Sequence, residues 1–191
     1  MNMAREVRPN RARARAARIP TAQSLEGTAL YYLGRYAASE FSLRRVLENR
    51  LRRTERLNPL FAGDEDLQER LRAAIDAIVE KHKKSGALND AAFAEMKTAG
   101  WRRAGRSARA IRMRLGQKGV ARGAIEQALN KNTEDGDTED AELKAALALA
   151  KRRKLGAFRQ KPAAPDQSRK DLATLARAGF SLDVARHALK A

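Results

Sequence analysis

A short pattern occurs twice in this chain, sixty positions apart. Leu115, Gly119, Val120, Ala128 and Leu129 reappear as Leu175, Gly179, Phe180, Ala188 and Leu189. Each copy has the form of a helix that stops at glycine, a hydrophobe that follows at once, and a second short helix carrying an Ala-Leu pair. A weaker copy lies upstream, where Leu47 and Leu51 hold the places of Ile111 and Leu115. A unit this small cannot bury its apolar face alone. Its recurrence therefore points to a tandem array of helical units, an elongated binding scaffold rather than one thick core around one pocket.

Helical spacing of apolar residues fills in the array. A first helix is expected from Thr21 to about Tyr36, with Leu25, Ala29, Leu33 and Tyr36 on one face. Ser39 or Ser42 is placed to cap a second helix carrying Val46, Leu47 and Leu51. Asn58-Pro59 breaks the pattern, and a third helix runs from about Asp64 to Lys84, stopped by Gly86. Asn89 caps a helix with Phe93 and Met96 inward, and Ser107 opens one with Ile111 and Leu115 that ends at Gly119. A short helix with Ile125 and Leu129 completes the second triple. Thr138 is expected to cap a seventh helix that buries Leu143, Leu147 and Ala150; Leu172 and Leu175 lie in the eighth, and Ser181 caps a ninth with Val184 and Leu189. No alternating β-branched run supports a strand. The expected fold is all-α: three tandem three-helix modules resembling helix-turn-helix units, in an elongated arrangement. The expected boundaries are a disordered basic arm over 1–20, modules over 21–86 and 87–131, an acidic linker over 132–137, and a third module over 138–191.

Charge narrows the partners. The chain carries +17 at pH 7, a field that favours polyanions or a protein already bound to one. Residues 1–20 hold six arginines against one glutamate and have no apolar stripe, hence the reading as a basic arm. There is no cysteine, which excludes disulfides and Cys-based metal or redox sites. No apolar run is long enough to span a membrane, and no signal-peptide core is present, so a cytoplasmic protein is expected.

The densest candidate site is the middle module. From Trp101 to Arg122 the chain holds Arg102, Arg103, Arg106, Arg109, Arg112, Arg114, Lys118 and Arg122 and no acid. Ile111 and Leu115 must point inward, so most of these cations must point out, where arginine grips phosphate or carboxylate with two prongs. A solvated face is the plainer alternative, but such faces normally alternate cations with acids. Arg102, Arg103, Arg106, Arg109, Arg112, Lys118 and Arg122 are the expected contact residues. The cluster Lys151 to Lys154 is a second candidate contact, balanced evenly against a role as complement to the negative end of its helix.

Catalytic readings fail on inspection. Gly100-Trp101-Arg102-Arg103-Ala104-Gly105-Arg106-Ser107 nearly spells a phosphate-binding loop, but arginine replaces the required lysine and no strand leads into it. The glycines are better placed in a turn between helices, and Trp101 in packing. His82 and His187 have no second ligand at metal spacing. The acids Glu134, Asp135, Asp137, Glu139 and Asp140 crowd into the expected linker rather than a rigid pocket. Neither an enzyme nor a bound cofactor is expected.

Several segments resemble the RecX family, regulators of the bacterial recombinase RecA. They are Ala29-Leu30-Tyr31-Tyr32-Leu33 followed by Ser42-Leu43-Arg44-Arg45-Val46-Leu47; Gly86 to Ala94; Ile111 to Val120 with Ile125-Glu126-Gln127-Ala128-Leu129; and Leu175-Ala176-Arg177-Ala178-Gly179-Phe180-Ser181. Each is ordinary helix chemistry, and their order and spacing carry the likeness. The Arg-rich arm and the insertion from Thr54 to Asp66 depart from the pattern. The resemblance implies three modules lying as a monomer along the groove of a RecA filament on single- or double-stranded DNA. It implies inhibition of ATP hydrolysis and strand exchange, in recombination and the SOS response. An autonomous helical DNA-binding protein is the alternative. A recognition helix needs base-reading side chains at its start, and the helix after Ala121 offers only Arg122, Glu126 and Gln127.

Overall fold

The computed structural model describes residues 17–133, 137–160 and 166–190. Most of the basic arm and the centre of the acidic linker lie outside the described residues. Among those described there are ten α-helices, one 3-10 turn and no strand.

Three separate apolar cores organise the helices. The first is built by α1 (Ala22–Leu33), α2 (Glu40–Leu57), α3 (Pro59–Ala62) and α4 (Glu65–Lys84) around Leu25, Leu43, Leu47, Phe61, Ile75 and Val79. The second is built by α5 (Asp90–Arg103), α6 (Ala108–Gly116) and α7 (Arg122–Asn130) around Phe93, Ala94, Ile111, Leu115, Ile125 and Ala128. The third joins α8 (Thr138–Arg153), a 3-10 turn over Gly156–Phe158, α9 (Gln167–Arg177) and α10 (Leu182–Lys190) around Ala146, Leu149, Leu175, Phe180, Ala185 and Ala188. Ile111 and Leu115 are fully buried, and each such side chain contributes roughly 2 kcal/mol.

Caps set most of the boundaries. Thr21, Ser39, Asp64, Asn89 and Ser107 each accept a hydrogen bond from the first turn of the helix they precede, satisfying N–H groups that have no partner within the helix. Some expectations shift. Asn58-Pro59 does not simply break the chain: Asn58 Oδ1 accepts from the backbone N–H groups of Leu60 and Phe61, and proline at the first position starts the short helix α3. That helix seats Phe61 in the first core, which raises the count above nine. Asp137, not Thr138, caps α8, because its carboxylate accepts from the N–H groups of Glu139 and Asp140. Tyr36 lies beyond the end of α1 and is exposed, as is Met96. Gly100 lies inside α5, while Gly105 makes the turn. Helix α8 buries Ala145, Ala146, Leu149 and Ala150, with Leu143 and Leu147 only partly covered. Ile19 packs on the first core and Ala17 O accepts from Asn58 Nδ2 at 2.9 Å, so the end of the basic arm is tied to the first module.

Candidate nucleic-acid and filament interface

The modules meet through a joint that occurs twice. At the first joint, Ser39 Oγ donates to Lys118 O at 2.6 Å, and the next residue, Glu40, donates its backbone N–H to Asp90 Oδ1 at 2.9 Å. At the second, Ser107 Oγ donates to Ala178 O at 2.7 Å, and Ala108 donates its N–H to Glu142 Oε1 at 2.7 Å. In both, the serine that caps the second helix of one module reaches the carbonyl just before a glycine of the next. Those glycines are Gly119 and Gly179, with φ of 74° and 95°, backbone that a side chain disfavours. A Cβ on Gly119 would run into Phe41, and one on Gly179 would stand 2.6 Å from Ser107 Oγ. The sixty-residue echo therefore marks two docking points as well as two folded units. The joint is head-to-tail, because each module presents its serine to the following one.

The structure sorts the cations of the middle module. Arg102 turns inward: its side chain is 11% exposed, and Nη1 lies 2.6 Å from Glu142 Oε1, on the first helix of the third module. Glu142 thus receives both Arg102 and the Ala108 N–H, and the pair closes the second joint. Arg112 is held bidentately by Glu126, with Nε–Oε1 and Nη2–Oε2 both 2.9 Å. That bond holds the Glu126 carboxyl below its usual range and raises Arg112. Arg103, Arg109 and Arg122 are exposed and Lys118 is half-buried, and no carboxylate pairs with any of them among the described residues. Arg106 is half-buried, with Nε buried and unbonded.

Two groups go beyond the residues expected from sequence. Arg152, which the sequence allowed equally as a complement to the end of α8, crosses the joint and donates from Nη1 to Ala104 O at 2.5 Å. Arg114 lies over the Trp101 ring at 6.0 Å from its centroid. Both cluster at the α5–α6 turn with Arg106, whose pKa is lowered by burial first and then by the charges of Arg114 and Arg152. No sequence signal linked residue 152 to residue 104.

A cleft of about 380 Å³ opens at the second joint beside this face, lined by Arg102, Arg109, Arg112, Glu139, Glu142 and Gly179 among others. Of its two acids, Glu142 is bonded to Arg102 and to the Ala108 N–H, so that carboxylate is already satisfied within the joint. Among the described residues no group of His, Asp or Glu is arranged to hold a metal ion, and no helix is long and apolar enough to cross a membrane.

Comparison with known proteins adds an independent line. A family model described as "RecX, second three-helix domain" matches residues 89–129, the span of the second core. The chain is 42% identical over 163 residues to the regulatory protein RecX of Myxococcus xanthus (strain DK1622), covering 85% of this chain and 82% of that protein. It is 35% identical over 100 residues to the regulatory protein RecX of Agrobacterium fabrum, covering 51% of this chain and 49% of that one. The crystal structure of RecX from Lactobacillus salivarius superposes with a TM-score of 0.60 at 19% identity, over 88% of this chain and 94% of that one. A second crystal structure of regulatory protein RecX gives a TM-score of 0.57 at 20% identity, over 86% of this chain and 71% of that one. At these identities the structures share the fold.

Proposed function

The chain belongs to the RecX family of regulatory proteins, and on that premise we propose that it regulates the RecA recombinase, mainly as an inhibitor. In this reading it lies as a monomer along the recombinase–DNA filament in the cytoplasm and restrains ATP hydrolysis and strand exchange in recombination and the SOS response. It does so by contact rather than by catalysis. The observation that carries the reading is the repeated head-to-tail joint. A filament repeats along its axis, and a linear array of modules meets successive positions of it. Each contact is weak alone, and linkage multiplies them. Bridging neighbouring subunits would block DNA entry or the closure that ATP turnover requires.

The contact residues we propose are Arg103, Arg106, Arg109, Lys118 and Arg122, with Arg102 and Arg112 framing them from their ion pairs. Unpaired cations support this choice, because they can meet phosphate or carboxylate without first breaking an internal bond. The alternative, an autonomous DNA-binding protein that reads sequence, is weakened by Glu126. That residue sits on the expected recognition helix and is held by Arg112, leaving Arg122 and Gln127 to read bases.

RecA ATP hydrolysis on single-stranded DNA tests the reading. The wild-type chain is expected to inhibit it, and a variant carrying R103E, R109E and R122E is expected to inhibit far less while keeping its helicity. No inhibition by the wild type sinks the function, and full inhibition by the variant sinks the site. A footprint showing tight sequence-specific binding at moderate salt without RecA would favour the alternative.

A further inference from the structure

We propose that Arg106, Arg114 and Arg152 form a seat for a backbone phosphate of a nucleic acid, built jointly by the second and third modules. The reading above supplies the choice of nucleic acid among polyanions; the seat itself stands on geometry. Three arginines from two modules converge on the turn from Ala104 to Arg106. Arg152 is anchored there by its bond to Ala104 O. The Arg106 backbone N–H bonds to Trp101 O at 3.0 Å, which fixes the turn that carries its side chain, and Arg114 lies over the Trp101 ring. None of the three has a carboxylate partner among the described residues, whereas Arg44, Arg52, Arg102, Arg112 and Arg159 all do.

Gathering like charges at a half-buried turn is unfavourable unless an anion joins them. The depressed Arg106 guanidinium is the mark of that tension, arising from burial and then from Arg114 and Arg152. A phosphodiester suits the seat better than a side-chain carboxylate: it offers oxygens in several directions to guanidiniums that approach from different elements. The Arg114 guanidinium over Trp101 also offers a plane on which a neighbouring base can stack. Because Arg152 belongs to the third module and the other two to the second, a phosphate held there bridges the joint. A strand bound at the seat would then hold shut the joint that Glu142 and Ala108 close.

The test uses the full chain without recombinase. Trp101, the single tryptophan, reports binding by its fluorescence during titration with a short oligodeoxythymidylate, the matching duplex, or polyglutamate. Both nucleic acids are expected to bind, the single strand more tightly. R114Q and R152Q, at exposed positions, are each expected to weaken oligonucleotide binding about tenfold and to lower the salt slope by about 0.7. R52Q, an equal loss of charge on α2 of the first module, where Arg52 is paired with Glu48, is expected to stay within about twofold of wild type. The bound strand is also expected to slow hydrogen exchange at the Ala108 amide. Wild-type affinity and slope in R114Q and R152Q would overturn the seat. So would an equal effect of R52Q, displacement by polyglutamate as effective as by the oligonucleotide, or unchanged Ala108 exchange at saturation. Since no recombinase is present, failure here leaves the regulation of RecA standing, and failure of that regulation leaves the seat standing.

Discussion

Replacing Gly179 with alanine tests the joint at its tightest point. Two costs are separable. The first is backbone: Gly179 has φ of 95°, and forcing an L-residue into positive φ costs about 1–2 kcal/mol. Gly86 shares that cost, with φ of 77° and nothing within 4 Å of an added Cβ, so G86A serves as the reference. The second cost is specific to the joint. The new Cβ would stand 2.6 Å from Ser107 Oγ, so that hydroxyl must swing away. It then loses its bond to Ala178 O at 2.7 Å and its capping bond from the Ala110 N–H at 3.2 Å. A cap and a hydrogen bond are each worth about 1 kcal/mol. G179A should therefore exceed G86A by about 2 kcal/mol. Urea unfolding followed by circular dichroism reads this as a midpoint shift of about 1 M. A double-mutant cycle sharpens it: in a Ser107→Ala background the clash has no partner, and the G179A penalty should fall to the G86A level. Equal losses for G179A and G86A, or strict additivity of S107A and G179A, would refute the joint.

Other expectations follow from the same contacts. Burial pushes the Asp171 carboxyl up, but the Gly156 N–H at 2.9 Å, Arg159 at 2.6 Å and Gln167 together hold it below the usual range. A lowered folded pKa gives stability that is full above the unfolded value of about 3.9 and lost as pH falls through the folded one; acid titration of stability should show this below about pH 4, and Asp171→Asn should remove it. Glu142→Ala leaves Arg102, at 11% exposure, and the Ala108 N–H without their partner; a loss of about 2 kcal/mol is expected by thermal melting. Arg112→Ala breaks a pair exposed to 50% and 37% and should cost under about 1 kcal/mol.

Much of the fold is legible in the residues because helices announce themselves locally. Leu67, Leu71, Ile75 and Ile78 repeat at helical spacing, and Ser39, Asn89 and Ser107 sit where caps belong. The Gly119 and Gly179 echo shows that the unit recurs. It does not show why glycine is required, because the atoms that crowd it come from Phe41 and Ser107 in another module. Ser39 meets Lys118 across 79 positions and Ser107 meets Ala178 across 71, and periodicity carries no information over such spans. The same limit applies to the cations. The acid-free run from Trp101 to Arg122 suggests a basic face, yet Glu142 and Glu126, outside that run, decide that Arg102 and Arg112 are paired. The short helix at Pro59 escapes because four residues show no period, and only the Asn58 cap and the buried Phe61 reveal it.

RecA-driven strand exchange, run with and without this protein at several salt concentrations, tests the central claim most directly. The account predicts slowed exchange at low salt, with the effect fading as salt screens the unpaired arginines. Exchange that proceeds at its full rate at low salt with the protein in excess would contradict it.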